Sequence, residues 1–290
     1  MIETTTIPQE LLRKFAHEGV WYHSLELAPD LVSKGAYDHT PSLQHYGFPT
    51  SLEGKSAIDV GTSDGFFAFH MERLGAQSVL ATDTNKFDGE VCTDVSAARI
   101  EIYQDKYESH YSVNTEFADV YEQLGVPVCH QFLAAKALKG SKVSFENLNV
   151  YDLGKDGRTF DFVFCGDLIE HLQHPLLALE NLAAVTKKEC IIALSSVPKG
   201  DQGPLANLRW NMVKVFSKVL GVPFVRPELS LEYHGAQAGG SFFHFYPVTF
   251  QKALLASGFS RVEVFSHFDL KNQNSGKGNP HVVYHCFVDE

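Results

Sequence analysis

The sequence contains the stretch Ser56-Ala57-Ile58-Asp59-Val60-Gly61-Thr62-Ser63-Asp64-Gly65-Phe66-Phe67. Its first residues are apolar enough for a short buried strand, and from Phe66 onward apolar residues recur at helical spacing. Gly61 and Gly65 stand between the two, where the backbone turns sharply with no side chain in the way. A glycine turn between a strand and a helix lets backbone groups approach a ligand closely, so we predict a binding site here.

A carboxylate ends the strand that we predict next along the chain. Residues 78–83 are strand-like and end in Asp83, about twenty residues after the turn, the spacing at which a strand–helix–strand unit brings an acidic residue to a ribose. A carboxylate can accept hydrogen bonds from both ribose hydroxyls. We therefore predict that Asp83 and the adjacent Thr84 lie at the sugar of a nucleoside cofactor.

The turn matches neither of the two common phosphate-binding patterns. A dinucleotide fingerprint requires G-x-G-x-x-G, and its middle glycine is replaced here by Ser63. A phosphate loop ends in Gly-Lys-Ser/Thr, whereas Gly65 is followed by two phenylalanines. Taken alone, the turn is also compatible with an ordinary strand–helix connection that binds nothing.

The composition is that of a globular protein without a membrane segment. Of the 290 residues, 44% are hydrophobic and 20% are charged, and no apolar run is long enough to span a bilayer. The first residues lack the basic and apolar regions of a signal peptide. Five dispersed cysteines without a C-x-x-C pair favour reduced thiols over disulfides or zinc ligands. We predict a cytoplasmic protein with no membrane partner.

The net charge bears on the partner. The chain has 24 Lys and Arg against 35 Asp and Glu, a formal charge of −11 at pH 7. A protein that binds nucleic acid usually carries a basic footprint, and the sequence shows none. This balance favours a small-molecule substrate over RNA, although it is compatible with a local basic patch.

Strands and helices alternate along the rest of the chain. The further predicted strands are residues 143–150, 160–166, 189–196, 262–267 and 282–288. Such alternation predicts an α/β fold with a doubly wound, mostly parallel seven-stranded sheet, in which ligands bind beyond the carboxyl ends of the strands. Tyrosines and phenylalanines between positions 103 and 121 recur at near-helical spacing, for which we predict packing.

We predict one main domain with two additions. Residues 1–50 form an N-terminal extension over the mouth of the domain at residues 51–290, and residues 198–245 form a helical insertion after the fifth strand that acts as a lid. Trp21 and His23 in the extension are predicted to line a substrate pocket. The alternative is that Trp21 packs in the interior and His23 lies at the surface.

The order of these motifs resembles that of class I S-adenosylmethionine-dependent methyltransferases. The resemblance extends from about residue 20 to the end and implies a Rossmann-like methyltransferase fold, S-adenosylmethionine as the cofactor, and methyl transfer to an O or N nucleophile. It implies that residues 149–151 border the adenine ring. The cofactor-binding residues implied in this way are Asp59, Gly61, Thr62, Gly65, Asp83, Thr84, Asn149, Val150, Tyr151 and Gly166.

Within this class the chain looks most like the bacterial tRNA wobble-uridine carboxymethyl-transferring enzymes. Those enzymes have a Trp-x-His lead segment, similar to residues 21–23, and a Tyr-His-x-x-x-Pro block, similar to residues 170–175. Where their tyrosine helps to hold the extra carboxylate of carboxy-S-adenosylmethionine, this chain has Glu170, whose charge would repel that carboxylate. We therefore predict ordinary S-adenosylmethionine and disfavour tRNA. A non-catalytic cofactor-binding relative is a further alternative.

A second resemblance concerns a metal. Asp167-x-x-Glu170-His171 is similar to the E-x-x-E-H of metal-dependent O-methyltransferases. On one helical face these three side chains could converge on a divalent ion, which would lower the pKa of an acceptor hydroxyl. The alternative, which we adopt, is that Glu170 and His171 begin the helix after the fourth strand, where the helix dipole favours an acidic residue, and that no metal is bound.

Methyl transfer needs alignment of the nucleophile and, for a hydroxyl, removal of a proton. His171 is the predicted general base because its ordinary pKa is about 6.5 and it follows the fourth strand. Glu170 is its predicted catalytic neighbour. His244, beside the insertion, is a reserve base and a predicted substrate-binding residue.

Overall fold

The computed structural model describes residues 7–19, 21–84, 130–194, 204–221, 231–233 and 242–289. The aromatic residues between positions 103 and 121, for which we predicted packing, lie outside these ranges. Within the described ranges, none of the helices has the length and apolar character needed to cross a membrane.

The N-terminal segment folds as one helix followed by short strands. Its elements are α1 (Gln9–Glu18), β1 (Trp21–His23), β2 (Glu26–Ala28), β3 (Leu31–Val32), β4 (Gly35–Tyr37) and a 3-10 helix at Thr40–His45. β1 pairs with β4 in parallel, and β2 pairs with β3 antiparallel. The segment is therefore a folded unit with its own strand pairs.

From residue 56 onward, strands and helices alternate as predicted. In chain order the described elements are β5 (Ser56–Val60), α2 (Phe66–Arg73), β6 (Ser78–Asp83), α3 (His130–Lys139), β7 (Ser144–Asn147), a 3-10 helix (Val150–Asp152), β8 (Phe160–Gly166), a second 3-10 helix (Ile169–His171), α4 (Pro175–Val185), β9 (Thr186–Leu194), α5 (Pro204–Leu220), β10 (Leu231–Tyr233), β11 (Phe243–Phe245), α6 (Pro247–Ala256), β12 (Arg261–Lys271) and β13 (Gly278–Phe287).

Seven of these strands form the central sheet, in the order β12-β13-β9-β8-β5-β6-β7. The pairs from β9 through β8, β5 and β6 to β7 are parallel. β13 is antiparallel to both β9 and β12. The predicted mostly parallel seven-stranded sheet is confirmed. β12 and β13 are longer than predicted because their hairpin ladder continues to the pair of Lys271 and Gly278.

The strand order reverses at β5. This strand pairs with β6 on one side and with β8 on the other. In doubly wound sheets the crevice beyond the carboxyl ends of the strands at such a reversal is the ligand-binding position. The turn that begins at Gly61 lies at this position.

Two buried apolar clusters make up the core. One contains residues of α2, α3 and the N-terminal segment, including Phe15, Phe67 and Phe132. The other contains residues of α4, α6 and the sheet, including Leu179 and Phe250. The N-terminal segment is thus packed into the same core as α2 and α3. The division into residues 1–50, 51–290 and the insertion at 198–245 stays a prediction.

The residues after β8 differ from the prediction. Ile169–His171 form a 3-10 helix, and α4 begins only at Pro175. Proline suits the first turn of a helix because it lacks an N–H and has a fixed φ, and it disfavours helical backbone at the preceding residue. Glu170 and His171 therefore belong to a separate turn and do not begin the helix.

Candidate functional site

The two glycines of the turn after β5 have different roles. Both have left-handed backbone, with φ of 80° at Gly61 and 96° at Gly65. A Cβ on Gly65 would lie 2.6 Å from the rings of Phe69 and Phe132. A Cβ on Gly61 would lie 3.2 Å from the side chain of Leu168. Gly65 therefore allows α2 and α3 to pack, whereas Gly61 keeps the edge between β5 and β8 open.

The backbone N–H groups of the turn are used within the protein. Those of Gly61 and Thr62 donate to the carbonyl oxygen of Thr82 at 2.9 and 3.0 Å. That of Ser63 donates to Oδ2 of Asp83 at 2.8 Å. These donors do not point toward a ligand, so this turn lacks the main feature of a pyrophosphate site.

Asp59 supports the turn from below. Its buried carboxylate accepts hydrogen bonds from Oγ1 of Thr62 at 2.7 Å and from the backbone N–H of Ala68 in the first turn of α2. Burial raises the pKa of Asp59 to about 7, with the bond from Thr62 acting in the opposite direction. The carboxylate thus satisfies a helix N-terminal donor that a phosphate loop would offer to its ligand. The side chains of Asp59 and Thr62 face each other and not the edge.

Asp83 lies at the carboxyl edge of the sheet, as predicted. Its carboxylate accepts the N–H of Ser63 through Oδ2 and the N–H of Thr84 through Oδ1, at 2.8 and 2.7 Å. The side chain is half-buried. Carboxylate oxygens accept more than one hydrogen bond each, so these bonds orient Asp83 and are compatible with ribose hydroxyls as further donors.

Asp64, in the middle of the turn, binds the N-terminal segment. One carboxylate oxygen accepts the N–H groups of Tyr22 and His23 at 3.0 and 2.8 Å. The other contacts Nδ1 of His23. Asp64 and His23 are both buried. His23, predicted in a substrate pocket, instead joins β1 to the turn.

The residues after β7 form a capped 3-10 turn. Oδ1 of Asn149 accepts the N–H of Tyr151 at 3.0 Å. The hydroxyl of Tyr151 accepts the N–H of His174 at 3.0 Å, and Nδ2 of Asn181 donates to the carbonyl of Val150 at 2.9 Å. Asn149 therefore has the turn-capping role typical of asparagine. The whole turn is fixed against α4 at the carboxyl end of β7.

Asp167 and His281 form an ion pair where β8 ends at Gly166. Oδ2 of Asp167 lies 3.0 Å from Nε2 of His281, and Nδ1 of His281 lies 2.8 Å from the carbonyl oxygen of Asn279. Because both partners of the imidazole are acceptors, both of its nitrogens must carry hydrogen. Burial opposes the charged ring, but the charge and hydrogen bond of Asp167 raise the pKa of His281 overall.

The predicted catalytic pair is not assembled. The side chain of Glu170 is fully buried, at 0% exposure, which does not fit contact with a substrate. His171 is half-buried on the same 3-10 turn, and its role stays a prediction. Among the residues that the structure describes, no group of three or more His, Cys, Asp or Glu is arranged to hold a metal. Asp167, Glu170 and His171 therefore do not form the three-ligand set considered from the sequence.

Histidine and aromatic rings pack beside the ion pair of Asp167 and His281. The ring of His39 lies 4.9 Å from that of His23 and 5.4 Å from that of Phe66, centroid to centroid. Nδ1 of His39 is 2.8 Å from the hydroxyl of Tyr46. Burial, together with His23 and His281, lowers the pKa of His39. Burial and the charge of Asp167 raise the pKa of Tyr46. Both groups are therefore neutral near pH 7.

The other predicted substrate residues are Trp21 and His244. Trp21 is 3% exposed and packs against Phe15, with ring centroids 5.9 Å apart, so it belongs to the core. This corrects its predicted place in a pocket. His244 is half-buried on β11, opposite Glu232 of β10.

Sequence reasoning missed four of the residues that the structure brings to this edge. They are His39, Tyr46, Asp64 and His281. Asp64 lies inside the motif that was examined, but its partners are some forty positions away. His281 has no local signal, because only the pairing of β13 with β9 brings it beside Asp167.

A family model described as a methyltransferase domain matches residues 41–264. A tRNA U34 carboxymethyltransferase of Campylobacter jejuni is 31% identical over 100 residues, which are 34% of this chain and 33% of the relative. One of Campylobacter lari is 27% identical over 113 residues, or 39% and 38% of the two chains. The matches thus span 33% and 38% of the length of these curated relatives.

Solved structures with similar folds include the N-terminal domain of EvdMO1 in the presence of SAH and D-fucose. It has a TM-score of 0.57 at 13% identity and covers 97% of each chain. The same domain with SAH bound has a TM-score of 0.54 at 12% identity and covers 99% of each chain. At this identity the likeness establishes the fold.

Proposed function

Because this chain belongs to the methyltransferase domain family, we propose that it is an S-adenosylmethionine-dependent enzyme that methylates an oxygen or nitrogen atom of a small molecule. The main support for the placement of the cofactor is the structure of the turn after β5. The N–H groups of Gly61, Thr62 and Ser63 donate inside the protein, and the carboxylates of Asp64 and Asp83 accept hydrogen bonds beside them. Such a turn suits a sulfonium cation and disfavours a pyrophosphate.

The described residues fit the cofactor in three places. Gly61 leaves open the space that a Cβ would fill beside Leu168. Asp83 is held at the sheet edge with its carboxylate oriented toward the turn, where it would accept the ribose hydroxyls. The fixed turn at residues 149–151, at the end of β7, would border the adenine. When bound, S-adenosylmethionine supplies a methyl group on a positively charged sulfur.

Ordinary S-adenosylmethionine is the proposed methyl donor, but not because of Glu170. The side chain of Glu170 is fully buried. The carboxylate at the end of β8 is Asp167, and the residue after it, Leu168, is the one that a Cβ on Gly61 would meet. A carboxylated cofactor would bring a second negative charge toward it.

A tRNA acceptor is the second candidate, because the curated relatives named above are tRNA U34 carboxymethyltransferases. The formal charge of −11 argues against it, since RNA binding draws most of its affinity from basic groups. Incubation with methyl-labelled S-adenosylmethionine, and in parallel with the carboxylated cofactor, separates the two. Label in unmodified tRNA supports the second candidate, and label confined to small molecules supports the first.

The cofactor site is tested by calorimetric titration of S-adenosylmethionine and its demethylated product into the wild type and Gly61→Arg. We expect binding by the wild type and none by the variant, because the arginine side chain would fill the space beside Leu168. Gly157→Arg is the matched control, because Gly157 also has left-handed backbone, with φ of 77°, and open space around it. Equal binding by Gly61→Arg and the control would contradict the placement.

A further inference from the structure

Asp167 lies at the same edge of the sheet as the turn after β5. β8, which it follows, pairs in parallel with β5. The next residue, Leu168, is the one that a Cβ on Gly61 would meet, at 3.2 Å. If the cofactor lies against Gly61, the carboxylate of Asp167 borders the crevice in which the methyl group is transferred. This step rests on the proposed function.

The backbone of Asp167 is held in a left-handed conformation. Its φ is 51°, a left-handed value that residues other than glycine seldom adopt. Its N–H donates to the carbonyl of Ala193 in β9 at 3.0 Å, which ties the residue to the neighbouring strand. Backbone strain that the surroundings maintain is concentrated at functional sites. Here it fixes the direction of a carboxylate.

One oxygen of this carboxylate has no hydrogen-bond donor among the described residues. Oδ2 is paired with Nε2 of His281. Oδ1 is buried and has no hydrogen-bond partner within the part of the chain that the structure describes. Buried polar atoms are nearly always hydrogen-bonded, because an unpaired one loses its hydration without compensation. The position is therefore suited to a donor that arrives with a ligand, such as a hydroxyl or an amine.

We propose that Oδ1 of Asp167 accepts the hydrogen of the nucleophile and takes its proton during methyl transfer, with His281 as the positioning residue behind it. The lone pair of the nucleophile forms the bond to the methyl carbon, and the carbon–sulfur bond breaks with its electron pair going to sulfur. The proton moves to Oδ1. Because the sulfonium charge disappears as Asp167 is neutralised, the enclosed site keeps the same net charge.

The groups around Asp167 define the acceptor class. Tyr46 from the N-terminal segment and Glu170 from the 3-10 turn act on this pair electrostatically, and His39 interacts with His281. The imidazolium of His281 is already bound to Oδ2 and does not offer its charge to a ligand. A nucleophile that carries a carboxylate or phosphate close by would be repelled. The fitting acceptor is a neutral alcohol or phenol, or an amine.

The test uses methyl-labelled S-adenosylmethionine with a panel of alcohols, phenols and amines, and with their carboxylated and phosphorylated counterparts. We expect transfer to neutral or amine members only. With the best of these, Asp167→Asn is expected to lower kcat about 100-fold or more, the usual size of a lost proton acceptor. Cofactor affinity in calorimetry should be unchanged. Asp156→Asn, which alters an exposed carboxylate bound to Arg158, is the control.

Two further variants separate chemistry from folding. Asp167→Gly removes the carboxylate without backbone strain, since glycine accepts a positive φ, and added formate is expected to restore part of kcat. His281→Gln should lower kcat less than Asp167→Asn does. The double variant Asp167→Asn/His281→Gln should be no slower than Asp167→Asn alone, because a positioning residue acts only through its partner.

The outcomes distinguish the proposed role of Asp167 from the proposed function on which it rests. Absence of cofactor binding by the wild type overturns the proposed function. If the cofactor binds, three results would overturn the role of Asp167. They are transfer only to anionic acceptors, transfer to none of the acceptors, and wild-type turnover by Asp167→Asn. Additive losses in the double variant, or failure of formate to restore turnover, also contradict it. Loss of wild-type turnover in EDTA would instead make Asp167 a metal ligand.

Discussion

The two sides of the candidate site are assembled in opposite ways. The cofactor edge comprises residues 59–65 and Asp83, which come from two neighbouring strands and the connection between them. The acceptor edge comprises His39, Tyr46, Asp167 and His281. The first forms from contiguous chain, whereas the second exists only after β8, β13 and the N-terminal segment have packed together. The cofactor edge is therefore formed by residues that are near one another in the sequence, whereas the acceptor edge depends on the whole fold.

Their charges differ as well. At the cofactor edge, the carboxylate of Asp83 accepts two backbone N–H groups, and the carboxylate of Asp64 accepts two more and also contacts His23. At the acceptor edge, the carboxylate of Asp167 is balanced by the imidazolium of His281. The first arrangement attracts a cation and the second suits a neutral molecule, which agrees with a sulfonium cofactor and an uncharged acceptor.

The N-terminal segment connects the two edges. At the cofactor edge, Asp64 binds the backbone of Tyr22 and His23. At the acceptor edge, the same segment provides His39 and Tyr46. A change in the position of this segment would therefore affect both halves of the site together.

The largest expected effect is at Gly65 and tests whether the cofactor edge depends on packing. A Cβ there would lie 2.6 Å from two aromatic rings, with φ at 96°. Gly65→Val combines left-handed strain with overpacking, so the free energy of unfolding should fall by about 5 kcal/mol. Urea unfolding measures this. The free energy of unfolding of Gly61→Ala, whose Cβ would have the Leu168 side chain as its nearest neighbour, should fall by about 1–2 kcal/mol.

Gly140→Val is the matched control for Gly65→Val. Gly140 also has a left-handed φ, 62°, but nothing lies within 4 Å of an added Cβ. The free energy of unfolding of Gly140→Val should fall only by the cost of the left-handed strain, about 1–2 kcal/mol. Equal losses at Gly65 and Gly140 would show that the rings of Phe69 and Phe132 move aside, and that packing does not require a glycine in the turn.

These glycines illustrate how much the sequence could predict. Apolar periodicity and the glycine spacing predicted β5, the turn and α2, because these features depend on neighbours in the chain, and the alternation of strands and helices predicted the mostly parallel seven-stranded sheet. The same pattern could not distinguish a glycine needed for packing from one that leaves room for a ligand. That distinction depends on Phe132 and Leu168, which are more than sixty and one hundred positions away.

The acceptor edge shows the limit more sharply. The motif Asp167-x-x-Glu170-His171 directed attention to this turn, but its three side chains were considered on one face of a helix, whereas Ile169–His171 form a 3-10 turn. The helix α4 begins only at Pro175, and Glu170 is fully buried on the separate 3-10 turn before it. His281 could not be found from its own surroundings, because the antiparallel pairing of β13 determines its position.

The next largest effect is a pH dependence at the cofactor edge. Burial raises the pKa of Asp59 to about 7 from an ordinary 3.8. The folded state therefore holds this proton more tightly than the unfolded chain. The stabilising contribution is complete below about pH 4 and is lost as pH rises through about 7, a change of up to about 4 kcal/mol.

Asp59→Asn removes this titration and keeps an oxygen that can accept the hydrogen bond from Thr62. The free energy of unfolding of the variant, minus that of the wild type, should increase from pH 4 to pH 7 and then level off. Chemical unfolding at several pH values measures the difference. A difference that is flat across this range would mean that Asp59 is ionised in the folded protein at low pH.

The smallest effect tests whether the two edges are functionally separate. The hydroxyl of Tyr46 is 2.8 Å from Nδ1 of His39, and the hydroxyl of Tyr151 accepts the N–H of His174 at 3.0 Å. Tyr46→Phe and Tyr151→Phe each remove one such bond, so each should lose about 1 kcal/mol of stability. Their effects on function should differ.

Tyr46→Phe should leave the calorimetric affinity for S-adenosylmethionine unchanged and lower turnover, because it loosens only the rings beside Asp167. Tyr151→Phe should weaken cofactor binding by about threefold to tenfold, because it frees the turn at residues 149–151 that would border the adenine. Each variant is the control for the other, since the chemical change is identical. Equal losses of cofactor affinity would mean that the two edges respond as one unit, and the N-terminal segment that touches both would be the element that joins them.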